Sequence, residues 1–456
     1  MAKANFPKTS APQLARSFFA GRRKEFFNRL PVDSVAIVVG NPEMTRSNDT
    51  SYTYRPSSDI LYLSGFPEPG AVLVFKKTKT QNRFIMFVRP RNPERETWTG
   101  RRFGTDGAKA NFDCHEAHSI DDFSKVMGEL LEGVDDVFYR FNRNSEVDEQ
   151  FRVLWLIRQA SLHNPEDIVH AMRHVKEPIE LDLMRHAAEL SAQAHCEAMR
   201  KVQPGMFEYA IQGIIEGFGA ARGAPDRAYN TIAAGGNNAV ILHYNTNAEA
   251  LQDGDLLLVD AGLEYRGYAA DITRTYPVNG KFSDAQREVY EVVLAAQLAA
   301  IRAAKPGASI NKVHAAAENV LRRGLVDLGI LPKKMRKKSV HDKIVAKAES
   351  RGTENDLAHT ARWFMHGTSH WLGLDVHDVC GVEKKEGKAL PLAPGMVLTV
   401  EPGLYLPKDD KLVPKRYRGI GIRIEDDVLI TSDGNEVLTA SVPKTVADIE
   451  ALMAAK

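Results

Sequence analysis

A chain of 456 residues is too long for one ordinary hydrophobic core, so two domains are the first expectation. Its 43% hydrophobic and 26% charged content reads as a soluble globular protein. Lys and Arg (60) nearly balance Asp and Glu (59), which excludes an electrostatic footprint for nucleic acid or an anionic membrane and points to a small, near-neutral ligand.

The chain opens on Phe18, Phe19, Phe26, Phe27 and Leu30 mixed with Arg22, Arg23, Lys24 and Arg29, which predicts an amphipathic first helix rather than a signal peptide. Val32–Gly40 reads as a buried strand ended by glycine. Ile60–Leu63, Ala71–Phe75 and Phe84–Val88 read as further short strands, with a turn signal at Pro67–Gly70. Helical patterns follow over Ile120–Leu131 and Val147–Leu162. Strands alternating with helices predict an α/β amino-terminal domain over 1–173.

Pro178, with Glu177 and Glu180 beside it, marks a helix start and a second domain over 174–456. That helix carries apolar residues at helical spacing from Leu181 to Val202 and stops before Pro204 and Gly205. Further on lie β-rich segments at Leu256–Val259, Met396–Val400 and Ile420–Ile430, with helices near 284–304 and 310–328. Strands gathered together with helices outside them read as an α+β domain. The stretch 331–360 begins with Lys333, Lys334, Arg336, Lys337 and Lys338 and reads as a solvated surface helix or loop.

Three cysteines, Cys114, Cys196 and Cys380, form no CxxC pair, which fits a reducing, cytoplasmic compartment better than a disulfide scaffold. No stretch is long and apolar enough to span a bilayer.

The chemistry concentrates in the second domain. Leu256–Tyr276 reads as a β-hairpin in which Asp260 ends an apolar strand and Asp271 arrives on the return strand. A lone carboxylate ending an apolar run is costly unless something compensates it. The anomaly recurs: Glu401 ends the hydrophobic run Val397–Val400, and Glu425 lies two residues beyond Arg423 on the same face of the next run. Two carboxylates on neighbouring strands repel each other unless a cation sits between them, and four such groups ask for one explanation, a metal centre.

Of 14 histidines, His366, His370 and His377 fall close together, and His243 follows an apolar run. His115, His118, His163 and His186 read as ordinary structural histidines. The 366/370 spacing matches that of a helical zinc motif, but Gly367 stands where that motif requires glutamate. Strand parity puts His370 and His377 on opposite faces, so a bend or loop must intervene. Oxygen-rich ligation with imidazole and no thiolate favours two divalent ions, Mn2+ first, with Co2+, Zn2+ and Mg2+ as alternatives. Two ions about 3.5–4 Å apart share a water and lower its pKa to around 7, so metal-assisted hydrolysis by a bridging hydroxide is the expected reaction class.

These strings, Asp260-Ala-Gly with Asp271-Ile-Thr-Arg-Thr, His366 to Gly373, Glu401-Pro-Gly and Arg423-Ile-Glu425, resemble aminopeptidase P, the Xaa-Pro aminopeptidase branch of the pita-bread metallopeptidases. Tyr54–Phe66, Trp98–Arg102 and Pro204–Tyr209 extend the resemblance over most of the chain. It implies removal of the first residue from peptides whose second residue is proline. It implies that Asp260 binds one metal, His370 and Glu401 the other, and that Asp271 and Glu425 bridge both. Glu401 is also implied as general base. His243 and His377 are implied to line the substrate site, His377 donating to the oxygen of the tetrahedral intermediate, with His366 on the leaving-group side. Arg423 and Tyr405 are implied to orient the carboxylates. The resemblance further implies a homo-oligomer, dimer or tetramer, to which Asp49 and Trp98 of the amino-terminal domain contribute.

The loop Gly381–Pro391 carries lysines but no arginine, a departure from relatives that leaves preference beyond proline open. Prolidase, restricted to Xaa-Pro dipeptides, is the nearest rival reading. Methionine aminopeptidase lacks so large an amino-terminal domain. A non-catalytic pita-bread binding module or a metal-free, creatinase-like hydrolase would lack the five ligands.

Overall fold

The computed structural model describes residues 14–158, 160–351, 358–379, 384–385 and 388–455. The fold divides after His174: Gln13–His174 forms one compact unit and Val175–Lys456 the body of the other.

In the first unit, six strands form one mixed sheet. The spatial order is Glu116–Ser119, Asn82–Val88, Val72–Lys77, Ser34–Val39, Asp136–Tyr139 and Ser161–His163. Ser34–Val39 runs antiparallel to Val72–Lys77 and parallel to Asp136–Tyr139. It is buried along its whole length, which is why its sequence is a continuous apolar run rather than an alternating one.

Three sequence expectations change here. Ile60–Leu63 is not a strand but the middle of the helix Ser58–Ser64, closed by Gly65 at φ 68°. Four apolar residues fit either period, and the left-handed glycine decides for the helix. The pattern Val147–Leu162 divides into a helix, Ser145–Arg158, and an edge strand, Ser161–His163. The first helix, Arg16–Arg29, buries arginines as well as phenylalanines. The Arg22 guanidinium lies 3.8 Å from the Phe18 ring centre and 3.7 Å from that of Tyr62, and donates to Tyr62 O at 3.0 Å. Stacking and a carbonyl acceptor replace the water these cations lose.

In the second unit a helix starts at Pro178, as the proline and its acidic neighbours predict. Pro178–Lys201 is a 24-residue helix with a capping box in which Glu177 and Glu180 satisfy each other's backbone N–H groups. This helix packs against Leu263–Tyr265, and Asp284–Ala303 packs against Ile310–Asp327 and Ile420–Arg423. Inside lie three small antiparallel sheets that build the site. Leu256–Asp260 is central between Ile232–Gly235 and Thr273–Pro277. Asp426–Ile430 is central between Val397–Val400 and Asn435–Val437. Gly403–Leu406 pairs with Ile420–Arg423. Ile420–Ile430 is therefore two strands in two sheets. Beyond them, Lys338–Glu349 is a surface helix with only His341 buried, while 352–357 of the basic stretch lie outside the described residues.

Candidate metal centre

Each acidic residue singled out in the sequence stands where a strand ends or breaks. Asp260 is the last residue of its strand, in register with Ile232 and Thr273. Asp271 lies two residues before its strand begins at Thr273, because a small hairpin, Leu263–Tyr265 with Tyr268–Ala269, is inserted between the two paired strands. Glu401 occupies the gap between Val397–Val400 and Gly403–Leu406. Glu425 occupies the matching gap between Ile420–Arg423 and Asp426–Ile430. Pro402 has no N–H to continue a ladder, so the antiparallel pair bends at this level.

At the breaks, backbone N–H groups cross to other segments. Glu425 N donates to Thr273 O at 3.0 Å and Glu401 N to Thr368 O at 2.8 Å. Thr399 N donates to His370 O at 2.9 Å, and Asp271 N to Asp427 Oδ2 at 3.1 Å. These bonds stitch the Asp-bearing sheet, the Glu-bearing bend and the His-bearing loop into one cluster.

The side chains meet around a cavity of about 460 Å3 lined by all four carboxylates, by His243, His366, His370 and His377, and by Tyr229 and Arg423. His370 Nε2 lies 3.3 Å from Asp271 Oδ2 and 3.9 Å from Glu401 Oε1. Ligand atoms of Asp271, His370 and Glu425 all fall within 4.8 Å of one another. Arg423 donates to Asp260 Oδ2 at 2.6 Å, to Tyr405 Oη at 2.9 Å and to Thr273 Oγ1 at 3.2 Å. The Glu425 carboxylate accepts from the Thr273 hydroxyl at 2.6 Å.

Burial of so much like charge sets the protonation. It pushes Glu401 up to about 8 and raises Asp271, and it raises Glu425 well above the carboxylate range with the negative charges of Asp271 and Glu401 adding to the effect. His370 is pushed up to about 9: burial opposes its charge, but the hydrogen bond and charge of Asp271 outweigh it. His366 is pushed down to about 4 by burial and by the Arg423 charge, and His377 is lowered by burial and by His370. Carboxyl oxygens that converge while disfavouring their own ionisation are a cradle for cations, and the oxygen-and-imidazole donor set fits divalent ions.

The histidine loop also takes the form parity demanded. Residues 366–379 contain no strand, only an isolated bridge from Trp371 to Leu398. The rings of His370 and His377 consequently meet edge to face with centres 4.3 Å apart. Beneath them Lys176 Nζ and Asp378 Oδ2 form a buried ion pair at 3.0 Å, with side chains 2% and 1% exposed. His366 Nε2 is 2.7 Å from Tyr405 Oη, and His366 Nδ1 is 3.6 Å from Glu401 Oε2.

Residues 19–139 match the family described as aminopeptidase P, N-terminal domain, and residues 182–432 match metallopeptidase family M24. Over 454 residues the chain is 43% identical to an Xaa-Pro aminopeptidase of Escherichia coli K12, covering 97% of this chain and 99% of that relative. The chain belongs to the aminopeptidase P family. Its fold is accordingly the mixed α/β amino-terminal domain followed by the pita-bread catalytic domain. Proline aminopeptidase P II from Yersinia pestis superposes with a TM-score of 0.90 at 42% identity, covering 97% of this chain and 100% of that one. A zinc-substituted Escherichia coli aminopeptidase P in complex with product gives 0.89 at 43% identity, covering 97% and 99%.

Within this aminopeptidase P chain the cavity brings together Asp260, Asp271, His370, Glu401, Glu425, Arg423, His243, His366 and His377, with Tyr405 in contact behind Arg423 and His366. Asp49 and Trp98 belong to the other unit. Asp49 is exposed in the turn between Thr45–Ser47 and Thr50–Ser51, and Trp98 is 88% exposed on the helix Pro93–Thr99. Of the loop 381–391, residues 381–383 and 386–387 lie outside the described residues.

Sequence reasoning missed Tyr229. Its hydroxyl lies 2.6 Å from Asp260 Oδ1 and 2.5 Å from Asp271 Oδ1, and burial together with both carboxylates raises its pKa well above the usual value. Nothing local to Tyr229 signals this, because both partners come from remote segments.

Proposed function

We propose that the carboxylate–imidazole cluster holds two divalent ions, Mn2+ in the cell, and that this centre releases the first residue of peptides with proline at position two. The observation that carries the reading is the convergence of Asp260, Asp271, His370, Glu401 and Glu425 on one cavity in a member of the aminopeptidase P family. In this assignment Asp260 would serve one ion, His370 and Glu401 the other, and Asp271 and Glu425 would serve both. Such a pair supplies Lewis-acid polarisation of the scissile carbonyl and lowers the pKa of water.

The rest is done by side chains. Glu401 accepts a proton as water attacks the carbonyl carbon, and the carbon–nitrogen bond breaks as the proline nitrogen takes a proton. His377, exposed at the mouth against His370 and kept neutral by its lowered pKa, donates N–H to the carbonyl oxygen as charge develops there. His366, also neutral at pH 7, serves the leaving-group side, and His243 lines the substrate path. Arg423 and Tyr405 hold Asp260 and His366 in orientation. An Xaa-Pro bond has no N–H to recognise, so selectivity must come from shape, for which Ile232, Leu242 and Val376 offer apolar lining.

We further assign residues 1–173 and 174–456 as the two domains, the cytoplasm as the site of action from cysteine usage, and a dimer or tetramer engaging Asp49 and Trp98 as the assembly. No helix among the described residues is long and apolar enough to cross a membrane.

Manganese-supplemented hydrolysis of an Xaa-Pro-Xaa tripeptide beside the Xaa-Pro dipeptide, with a chelated control, tests the function. The tripeptide loses its first residue, and chelation abolishes the reaction. Cleavage confined to the dipeptide would replace this reading with prolidase, and no metal-dependent cleavage of either would replace it with a binding module.

A further inference from the structure

We infer that Glu208 is a positioning residue for His243, holding with one buried carboxylate the loop that presents this histidine to the cavity. The inference rests on the aminopeptidase reading above. In sequence Glu208 is only part of the Pro204–Tyr209 segment, and as the first residue of the helix Glu208–Ala220 it looks like an ordinary exposed acid at a helix start.

It is instead fully buried, at 0% exposure. A buried carboxylate is costly unless its lone pairs are filled. Four donors fill them. Oε1 accepts from Gly235 N at 2.8 Å and from Asn238 Nδ2 at 3.0 Å, and Oε2 accepts from Tyr244 Oη at 2.8 Å and Glu249 N at 2.9 Å. Every donor belongs to 235–249, the segment that leaves the strand Ile232–Gly235, turns through Gly236–Val240 and carries Leu242, His243 and Asn245 into the cavity lining.

The two stems of this loop are thus fastened to one group. Glu208 N adds a bond to Glu249 O at 3.0 Å. Asn247, in the left-handed region at φ 49°, makes the second tie: it accepts from Ala233 N at 2.9 Å and donates to Thr231 O at 2.8 Å. The first stem is closely packed as well: a Cβ added at Gly235 would stand 2.8 Å from Leu251 Cδ2 and 3.4 Å from Glu208 Oε1. The His243 ring at the apex is exposed, and among the described residues no hydrogen bond holds it. Its placement is inherited from the stems, and charge-assisted bonds to a carboxylate are the strongest the stems possess.

A double-mutant cycle separates positioning from plain stability. The parent, Glu208→Gln, His243→Ala and the double variant are loaded with Mn2+ and assayed on an Xaa-Pro-Xaa tripeptide for kcat and KM, with melting temperature and bound metal measured on each. Gln keeps the size of Glu but turns N–H groups toward two of the donors. Glu208→Gln is expected to stay folded with parental metal content and to lose about tenfold or more in kcat/KM. In the His243→Ala background the same change costs less than about twofold, because the residue it positions is gone. Equal losses in both backgrounds, or parental activity of Glu208→Gln, would overturn the inference. Should Glu208→Gln fail to fold, Tyr244→Phe removes one of the four bonds and takes its place in the cycle: a loss confined to the background that retains His243 supports positioning, and equal losses or none overturn it. An inactive parent would instead refute the proposed function, so the two failures are told apart.

Discussion

Changing the pH of metal loading probes the centre directly. Glu401 sits at about 8 and His370 at about 9 in the metal-free cluster, and each must surrender its proton before it can serve as a ligand. Both values lie above 7, so near neutral pH Glu401 is held mostly protonated and His370 mostly charged. The sign follows: affinity rises with pH, by up to about tenfold per pH unit for each proton the ion displaces, and less steeply once the pH passes the two values. Asp271 and Glu425 are raised too, so two protons per loaded site is a floor. Calorimetric titration of Mn2+ at each pH, in two buffers of different ionisation enthalpy, reads both affinity and protons released. An affinity that does not change with pH, with no buffer-dependent heat, would refute the idea that this cluster holds its protons until a cation displaces them.

Two substitutions extend the test. Glu401→Gln keeps the shape of the side chain but cannot accept the proton of the attacking water, and kcat falls about 10²–10⁴-fold; near-parental turnover in a folded, metal-loaded variant would remove Glu401 as the base. Lys176→Met removes the buried cation paired with Asp378 in a site where both side chains are 2% exposed or less, which costs about 3–5 kcal/mol in a thermal or denaturant melt. Lys176→Met combined with Asp378→Leu recovers part of that loss, and a single-variant loss under about 1 kcal/mol would mean that the pair does not anchor the loop of His377.

Much of the site was legible because each acid interrupts an apolar run, and an interruption is a local signal. Asp260 after Leu256–Val259 and Glu401 after Val397–Val400 stand out against their own neighbours. The histidines were legible as a cluster, and parity correctly required a bend before His377 could meet His370. Fold errors fell where local pattern carries two meanings. Ile60–Leu63 is four apolar residues, as compatible with the helix Ser58–Ser64 as with a strand. Leu256–Tyr276 reads as one hairpin, yet the short strands Leu263–Tyr265 and Tyr268–Ala269 within it form a sheet with Asp226–Arg227, which puts Asp271 outside the ladder rather than within it.

What local pattern cannot carry is the identity of the segment that captures a broken strand. A residue inside a ladder gives its N–H to the adjacent strand, and its neighbour follows from register. At a break the N–H is available to any segment that passes, as when Glu425 N reaches Thr273 O and Glu401 N reaches Thr368 O. Those captures span distances along the chain that no periodicity encodes, and they are what bring four acids and His370 to one cavity. The same holds for Tyr229, 31 and 42 residues from the two aspartates it touches, and for Glu208, whose donors lie 27 to 41 residues away. The acids that line the cavity are therefore written in the sequence as interruptions, while Tyr229 and Glu208 are written only in the packing.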